Sequence, residues 1–484
     1  MYCFAVIRSI PFVVAASVIA ASCSGSSEVL PTSTDQVVST TTAETTTTTQ
    51  DATTTSVAEE SNAATTTVAA ASEPEAETFF EPTVASQDLE ACKLRDQSPD
   101  RLNYPLSLIT GFPVSEQNFP ATGEIIVSLV PIEFEDLPGD ELGAERVKTD
   151  MQLVSDWYSM VSGGRVSIEW SVSDEWVTIP RNSVDFASDR SRSDDNRLAY
   201  EAFTASDPII DFTGVQAVAF LLPQGQTFMA EGVQGFKHSQ FGGSGGFQSE
   251  EGQIFNYMIG GAYFDQPYKT LWSYWAHEMG HMFPLPDLYD VRGQWWIGEE
   301  LEIPGGPFSS FDLMANQDGP SRTLSTWLRF VMGWLDDDQV LCLDAEGQLD
   351  GQVMIAPTDS DLEGPKSLML PLDETRILVV ESRRPDLRFD CEGTDAEADV
   401  KGVSGPDWRP RHGVIAYVAD MTIGHGNGFQ ALIPPGGRGL NDLFTCSAPP
   451  QLDAIMEPGD YIVFEGITVE VISSDDYDTV QILR

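Results

Sequence analysis

The stretch His277-Glu278-Met279-Gly280-His281 sets two imidazoles four residues apart, with a carboxylate directly after the first. On a helix that spacing turns both rings to one side, where a single cation can take one nitrogen from each, and leaves Glu278 beside them. The chemistry implied is metal-assisted hydrolysis, in which the ion acidifies a water and the carboxylate accepts its proton. The chain has only five histidines, so the pairing stands out against the plainer reading of a helix with histidines at its polar edge.

Elements that would position these groups are visible on either side. Leu271, Trp272, Trp275, Met279 and Met282 recur at helical period and give the motif helix an apolar face, and Pro284 must end it. Upstream, residues 124–134 read as a buried strand. Val147, Met151, Val154, Tyr158 and Val161 mark an amphipathic helix stopped by Gly163-Gly164, and residues 165–170 alternate as a half-buried strand. Residues 198–205 read as helix and 215–222 as strand, so an α/β half built on one sheet precedes the motif. The glycine-rich run at 241–247 lacks phosphate-binding spacing. A short strand at 254–259 sits just before the motif helix, and its Asn256 and Tyr257 are candidates for a substrate rim, an ordinary sheet edge being the alternative. After about Asp336 the pattern changes to short β-like runs at 353–356, 367–372, 376–381, 413–418, 430–433, 461–464, 467–472 and 479–483, as in a β-sandwich.

Composition fixes the surroundings. The 484 residues carry 75 acidic against 26 basic side chains, a formal charge of −49. Nucleic acid and anionic membrane surfaces would be repelled, so neither is expected as a partner. Residues 1–22 read as an export signal, with Arg8 before an apolar run too short to span a bilayer. It ends in Ala20-Ala21-Ser22-Cys23, which allows either lipidation at Cys23, the one membrane anchor expected, or ordinary cleavage; both lead out of the cell. Residues 23–90, rich in Thr, Ser, Ala and Glu, read as a disordered tether with ends roughly 45 Å apart. The organisation expected is then 91–336 for a metallopeptidase-like domain and 337–484 for a β-rich domain, acting as a monomer. Cys92, Cys342, Cys391 and Cys446 predict two disulfides, with three pairings open.

The string His277-Glu278-x-x-His281-x-x-Pro284-x-x-Asp287 resembles the extended zinc motif of metzincin-type peptidases whose third ligand is an aspartate. Continued through Leu285-Pro286-Asp287-Leu288-Tyr289-Asp290, it resembles the immune-inhibitor-A-like secreted bacterial peptidases. Phe311-Asp312-Leu313-Met314 is similar to that family's methionine turn, residues 324–334 to its next helix, and Glu381-Ser382-Arg383-Arg384 and Gly413-Val414-Ile415-Ala416-Tyr417 to its later strands. The likeness spans roughly residues 123–420. It implies an α+β fold, with a metzincin-like mixed sheet, active-site helix and methionine turn at Met314 ahead of an all-β sandwich-like domain. It also implies one zinc ion on His277, His281 and Asp287, Glu278 as general base, and protein or peptide substrates.

This sequence departs from the family in three places. Pro284 stands for a glycine, which predicts a different backbone for the turn; Asn316 replaces a tyrosine near the metal; Val418 replaces a histidine. Glu299, Glu300 and Glu302 are rival third ligands. His425 is a further candidate for the substrate rim, whereas His238 and His412 read as surface. Trp295-Trp296 reads as core or pocket lining. Scattered Asp and Glu offer structural calcium sites, although no EF-hand loop is present. An adhesion or binding lipoprotein with a silent peptidase-like domain is the alternative from another class.

Overall fold

The apolar run near residue 130 becomes β1 (Gly123–Phe134), the axis of the first sheet. The structure, a computed structural model, describes residues 88–103, 108–114, 119–186, 192–229, 233–235, 246–265, 270–290, 306–308, 311–317, 319, 321–344, 349–386, 388–390, 412–437 and 454–484. The export signal, nearly all of the tether, Cys391 and Cys446 lie outside them. Parallel to β1 run β2 (Val166–Val172), β3 (Val177–Ile179) and β4 (Ala217–Leu221). Beyond β4 comes parallel β8 (Asn256–Ile259), and then antiparallel β5 (Val233–Gly235), giving the order β2-β1-β4-β8-β5. A small hairpin of β6 (Phe247–Gln248) and β7 (Gln253–Ile254) stands apart. Parallel neighbours need crossovers, and α2 (Lys148–Val161) and α3 (Arg192–Ser206) supply them.

The motif helix, α4 (Leu271–Met282), packs on α2. Trp157, Tyr158, Trp275, Met279 and Phe283 are fully buried between them, each contributing about 2–3 kcal/mol by leaving water. The N-cap residue Thr270 makes no side-chain cap. Instead Asp150, in the first turn of α2, accepts the Trp272 N–H at 2.9 Å and satisfies one of the helix's orphan donors from outside. Tyr158 donates its hydroxyl to the Ala276 carbonyl at 2.6 Å. The helix carrying both histidines is thus fixed at its start and its middle by α2.

A second sheet runs in the order β10 (Val340–Cys342), β12 (Ser367–Pro371), β13 (Arg376–Arg383), β14 (Gly413–Asp420), β15 (Gln430–Leu432) and β9 (Gly306–Pro307). Strand β9 comes from ahead of residue 336, so this sheet draws on both sides of that change in sequence character. A third sheet joins β11 (Asp350–Ile355), β18 (Asp478–Leu483), β17 (Ile467–Ser474) and β16 (Tyr461–Phe464). Alternation along β12 to β14 divides the second sheet between two cores. Leu368, Leu378, Val380, Val414 and Ala416 meet the third sheet, as in a sandwich. Met369, Val379, Ile415 and Tyr417 face the core that holds α4. The molecule is therefore mixed α/β with several sheets, an α+β arrangement, and residues 80–484 form one unit.

The segment from 88 to 122 lies across this unit as a strap. It includes the short α1 (Pro99–Asn103) and a bridge from Arg95 to Phe112. The Trp327 and Trp334 indoles donate to the carbonyls of Thr110 and Ala121, both at 2.8 Å. Ile109 N–H donates to the Pro284 carbonyl at 3.0 Å and Phe119 N–H to that of Met282 at 3.1 Å, so the strap holds the end of the motif helix. Cys92 and Cys342 form a disulfide across 250 residues of sequence. On the chain-entropy model a loop of that size is worth about 5 kcal/mol. Replacing both cysteines with serine should accordingly lower the guanidinium unfolding free energy by several kcal/mol; an unchanged midpoint would show that the tie adds nothing.

Candidate metal centre

His277 and His281 lie on adjacent turns of α4, and both are buried. The ring Nδ1 of His277 is 2.9 Å from the Leu313 carbonyl and that of His281 is 2.8 Å from the Leu285 carbonyl. A carbonyl only accepts, so each Nδ1 carries the hydrogen and each Nε2 is left with its lone pair. Those two lone pairs meet Asp287 Oδ1, at 3.1 Å from His277 and 3.4 Å from His281. Asp287 is itself buried, and Oδ1 has no hydrogen-bond partner. Three electron-rich atoms thus converge on one point with their outer sides already engaged, which is the donor set of a metal ion. Among the described residues, these three form the one group of histidine, cysteine or acidic side chains so arranged.

The support beneath the triad comes from residues 311–325. Leu313, whose carbonyl orients His277, donates its own N–H to the Thr323 carbonyl. Asp312 accepts the Met314 N–H at 2.8 Å and the Ser325 N–H at 2.6 Å, locking the turn. Met314 is buried against the motif helix, where a Cβ on Gly280 would fall 2.5 Å from its sulfur. A side chain at Gly280 would therefore displace the end of Met314, a contact that its place in the motif conceals in the sequence. Helix α5 (Thr326–Val331) follows, its start held by Glu381 of β13, which accepts the Thr326 N–H at 2.8 Å.

The helix ends at Phe283, and Leu285 N–H returns to the Gly280 carbonyl at 2.9 Å. This is the longer hydrogen bond of a glycine-type C-terminal turn, and Pro284 occupies the position where glycine adopts positive φ. Proline has no N–H for the shorter bond of such a turn, so the longer one alone closes it.

The rim residues are placed otherwise than the sequence implies. Strand β8 is flanked by β4 and β5, and Asn256 and Tyr257 are both buried: Asn256 donates to the Gln216 carbonyl at 2.8 Å, and Tyr257 packs against Phe203. Among the described residues β8 is therefore an inner strand, and the edge on that side is β5, a three-residue strand that sequence patterning passed over. His425 is brought to Asp287, its Nδ1 accepting the Asp287 N–H at 3.0 Å and its Nε2 lying 3.3 Å from Oδ2. Tyr289, quoted in the motif but given no role, donates to Oδ2 at 2.6 Å. Glu278 is half-buried on α4, where its negative charge reaches His277 and His281. Asn316 and Val418 are described and contribute no atom to the triad, and His412 is exposed. His238, Trp295, Trp296, Glu299, Glu300 and Glu302 lie outside the described residues.

No family model matches the chain, and no curated protein does. Among solved structures, two crystal forms of wild-type OgpA from Akkermansia muciniphila are each 13% identical to it. Each alignment covers 65% of this chain and 92% or 91% of OgpA, at a TM-score of 0.24. At that score the likeness carries no argument about fold or activity.

One outcome follows for the protein stripped of metal. Burial opposes a charged His277, yet the Asp287 carboxylate 3.1 Å away raises the imidazole from 6.5 to about 9. Burial likewise opposes the Asp287 carboxylate, and the histidines hold it well below 3.8. The stability from this protonated pairing is fully present below pH 6.5, down to the acid range where Asp287 protonates, and is lost as pH rises through about 9. Chelator-treated protein should therefore melt at a lower temperature at pH 10 than at pH 6.5, and His277→Gln should flatten that difference.

Proposed function

We propose that the chain is an exported zinc-dependent endopeptidase, related to the immune-inhibitor-A-like secreted peptidases and built on a metzincin-like catalytic unit. The observation that carries this reading is the convergence of the unpartnered Asp287 Oδ1 with the Nε2 atoms of His277 and His281, which share α4 with Glu278. Two imidazoles and one carboxylate suit zinc and leave a coordination position for water. When bound, the ion would supply Lewis acidity toward a peptide carbonyl and acidify that water. The remaining chemistry belongs to the chain. Glu278 Oε atoms take the water's proton as the oxygen attacks the carbonyl carbon, and then return it to the departing amine nitrogen. With their Nδ1 hydrogens given to the Leu313 and Leu285 carbonyls, His277 and His281 would each offer the ion an Nε2 lone pair, and that nitrogen would carry no proton. Met314 and Gly280 keep the helix and the turn below it at a fixed separation.

Purified residues 88–484 incubated with casein provide the test. Cleavage should be abolished by a zinc chelator and restored by zinc. Glu278→Gln should bind zinc normally and lose roughly a thousandfold or more in rate, toward the upper part of the usual contribution of an acid–base group because the same carboxylate serves two steps. Casein cleavage that persists in Glu278→Gln would remove this residue as the base. A chain that binds zinc and cleaves nothing in any condition would favour the silent binding-protein alternative.

A further inference from the structure

We propose that His425 is a positioning residue for the third ligand, holding Asp287 so that Oδ1 alone turns to the cation; this rests on the metal-site reading above. Its ring touches Asp287 twice. Because Nδ1 accepts the Asp287 N–H at 3.0 Å, the ring hydrogen sits on Nε2, which lies 3.3 Å from Oδ2. Tyr289 donates its hydroxyl to the same Oδ2 at 2.6 Å. One carboxylate oxygen is thus engaged from behind, while the other is left facing the two histidines without a partner. The loop carrying His425 is itself anchored: its N–H donates to Asp100 Oδ2 at 2.7 Å, and Gly426 N–H donates to the Asp287 carbonyl at 3.1 Å. Asp100 belongs to the N-terminal strap, so a contact chain runs from the strap through His425 to the ligand. Groups that orient a metal ligand in this way ordinarily govern affinity by about 10–100-fold.

The test is metal binding, read without substrate. Wild-type protein, His425→Ala and Tyr289→Phe are stripped, and each is titrated with Zn²⁺ and Co²⁺ against a competing chelator. The expected result is affinity about 10–100-fold weaker in His425→Ala and a smaller loss in Tyr289→Phe. The visible Co²⁺ bands should also weaken in His425→Ala, as the released Oδ2 joins the coordination shell and raises the coordination number. Wild-type affinity and an unchanged spectrum in His425→Ala would overturn the proposal while leaving the metal site standing. If His425→Ala does not fold, Tyr289→Phe decides: unaltered affinity and spectrum there would overturn it. Failure of the wild-type chain to bind either ion would overturn the metal-site reading itself.

Discussion

Three lone pairs facing one another inside a protein repel unless something positive lies between them. That constraint governs this molecule. His277 and His281 cannot relieve it by rotating, because each is held at its far nitrogen by a backbone carbonyl. Asp287 cannot withdraw either, with Oδ2 met by Tyr289 and His425. Only a cation or added protons can satisfy the cluster. The fold around it is arranged to hold that condition in place.

The holding is distributed over every layer. Helix α2 fixes the beginning and middle of the motif helix, and the strap fixes its end. The second sheet acts as a shared slab: one face completes the sandwich core and the other reaches the methionine turn, with Glu381 gripping the start of α5 between them. A sequence divided at residue 336 by its rhythm of strands is therefore not divided there in its packing.

How much of this the sequence disclosed depended on distance along the chain. His277, Glu278 and His281 were legible because helical period alone places them together, and Asp287 because the motif continues into a turn of fixed length. The strands of the second and third sheets, apart from β9 and β10, were legible as short apolar runs between turn residues. His425 was not, since 138 residues separate it from the residue it serves and no local pattern records the meeting. Asn256 and Tyr257 were misplaced for a different reason. A short apolar strand reads alike at the edge of a sheet or inside it, and the neighbour that settles the matter, β5, is three residues long.

The strap bears on how such a chain could be trimmed. Peptidases are commonly kept dormant by a leading segment that is cut away, and residues 88–122 occupy the place in the sequence where one would look for it. Here, though, the segment supplies hydrogen bonds to the carbonyls of Met282 and Pro284 and positions Asp100 beneath His425. Shortening the chain up to residue 88 removes nothing described as part of this support. Cutting further would dismantle the scaffold on which the ligands rest, while the Cys92–Cys342 bond would keep a nicked strap attached. A cut inside the strap would thus cost the motif helix its support, wherever the chain is trimmed ahead of it.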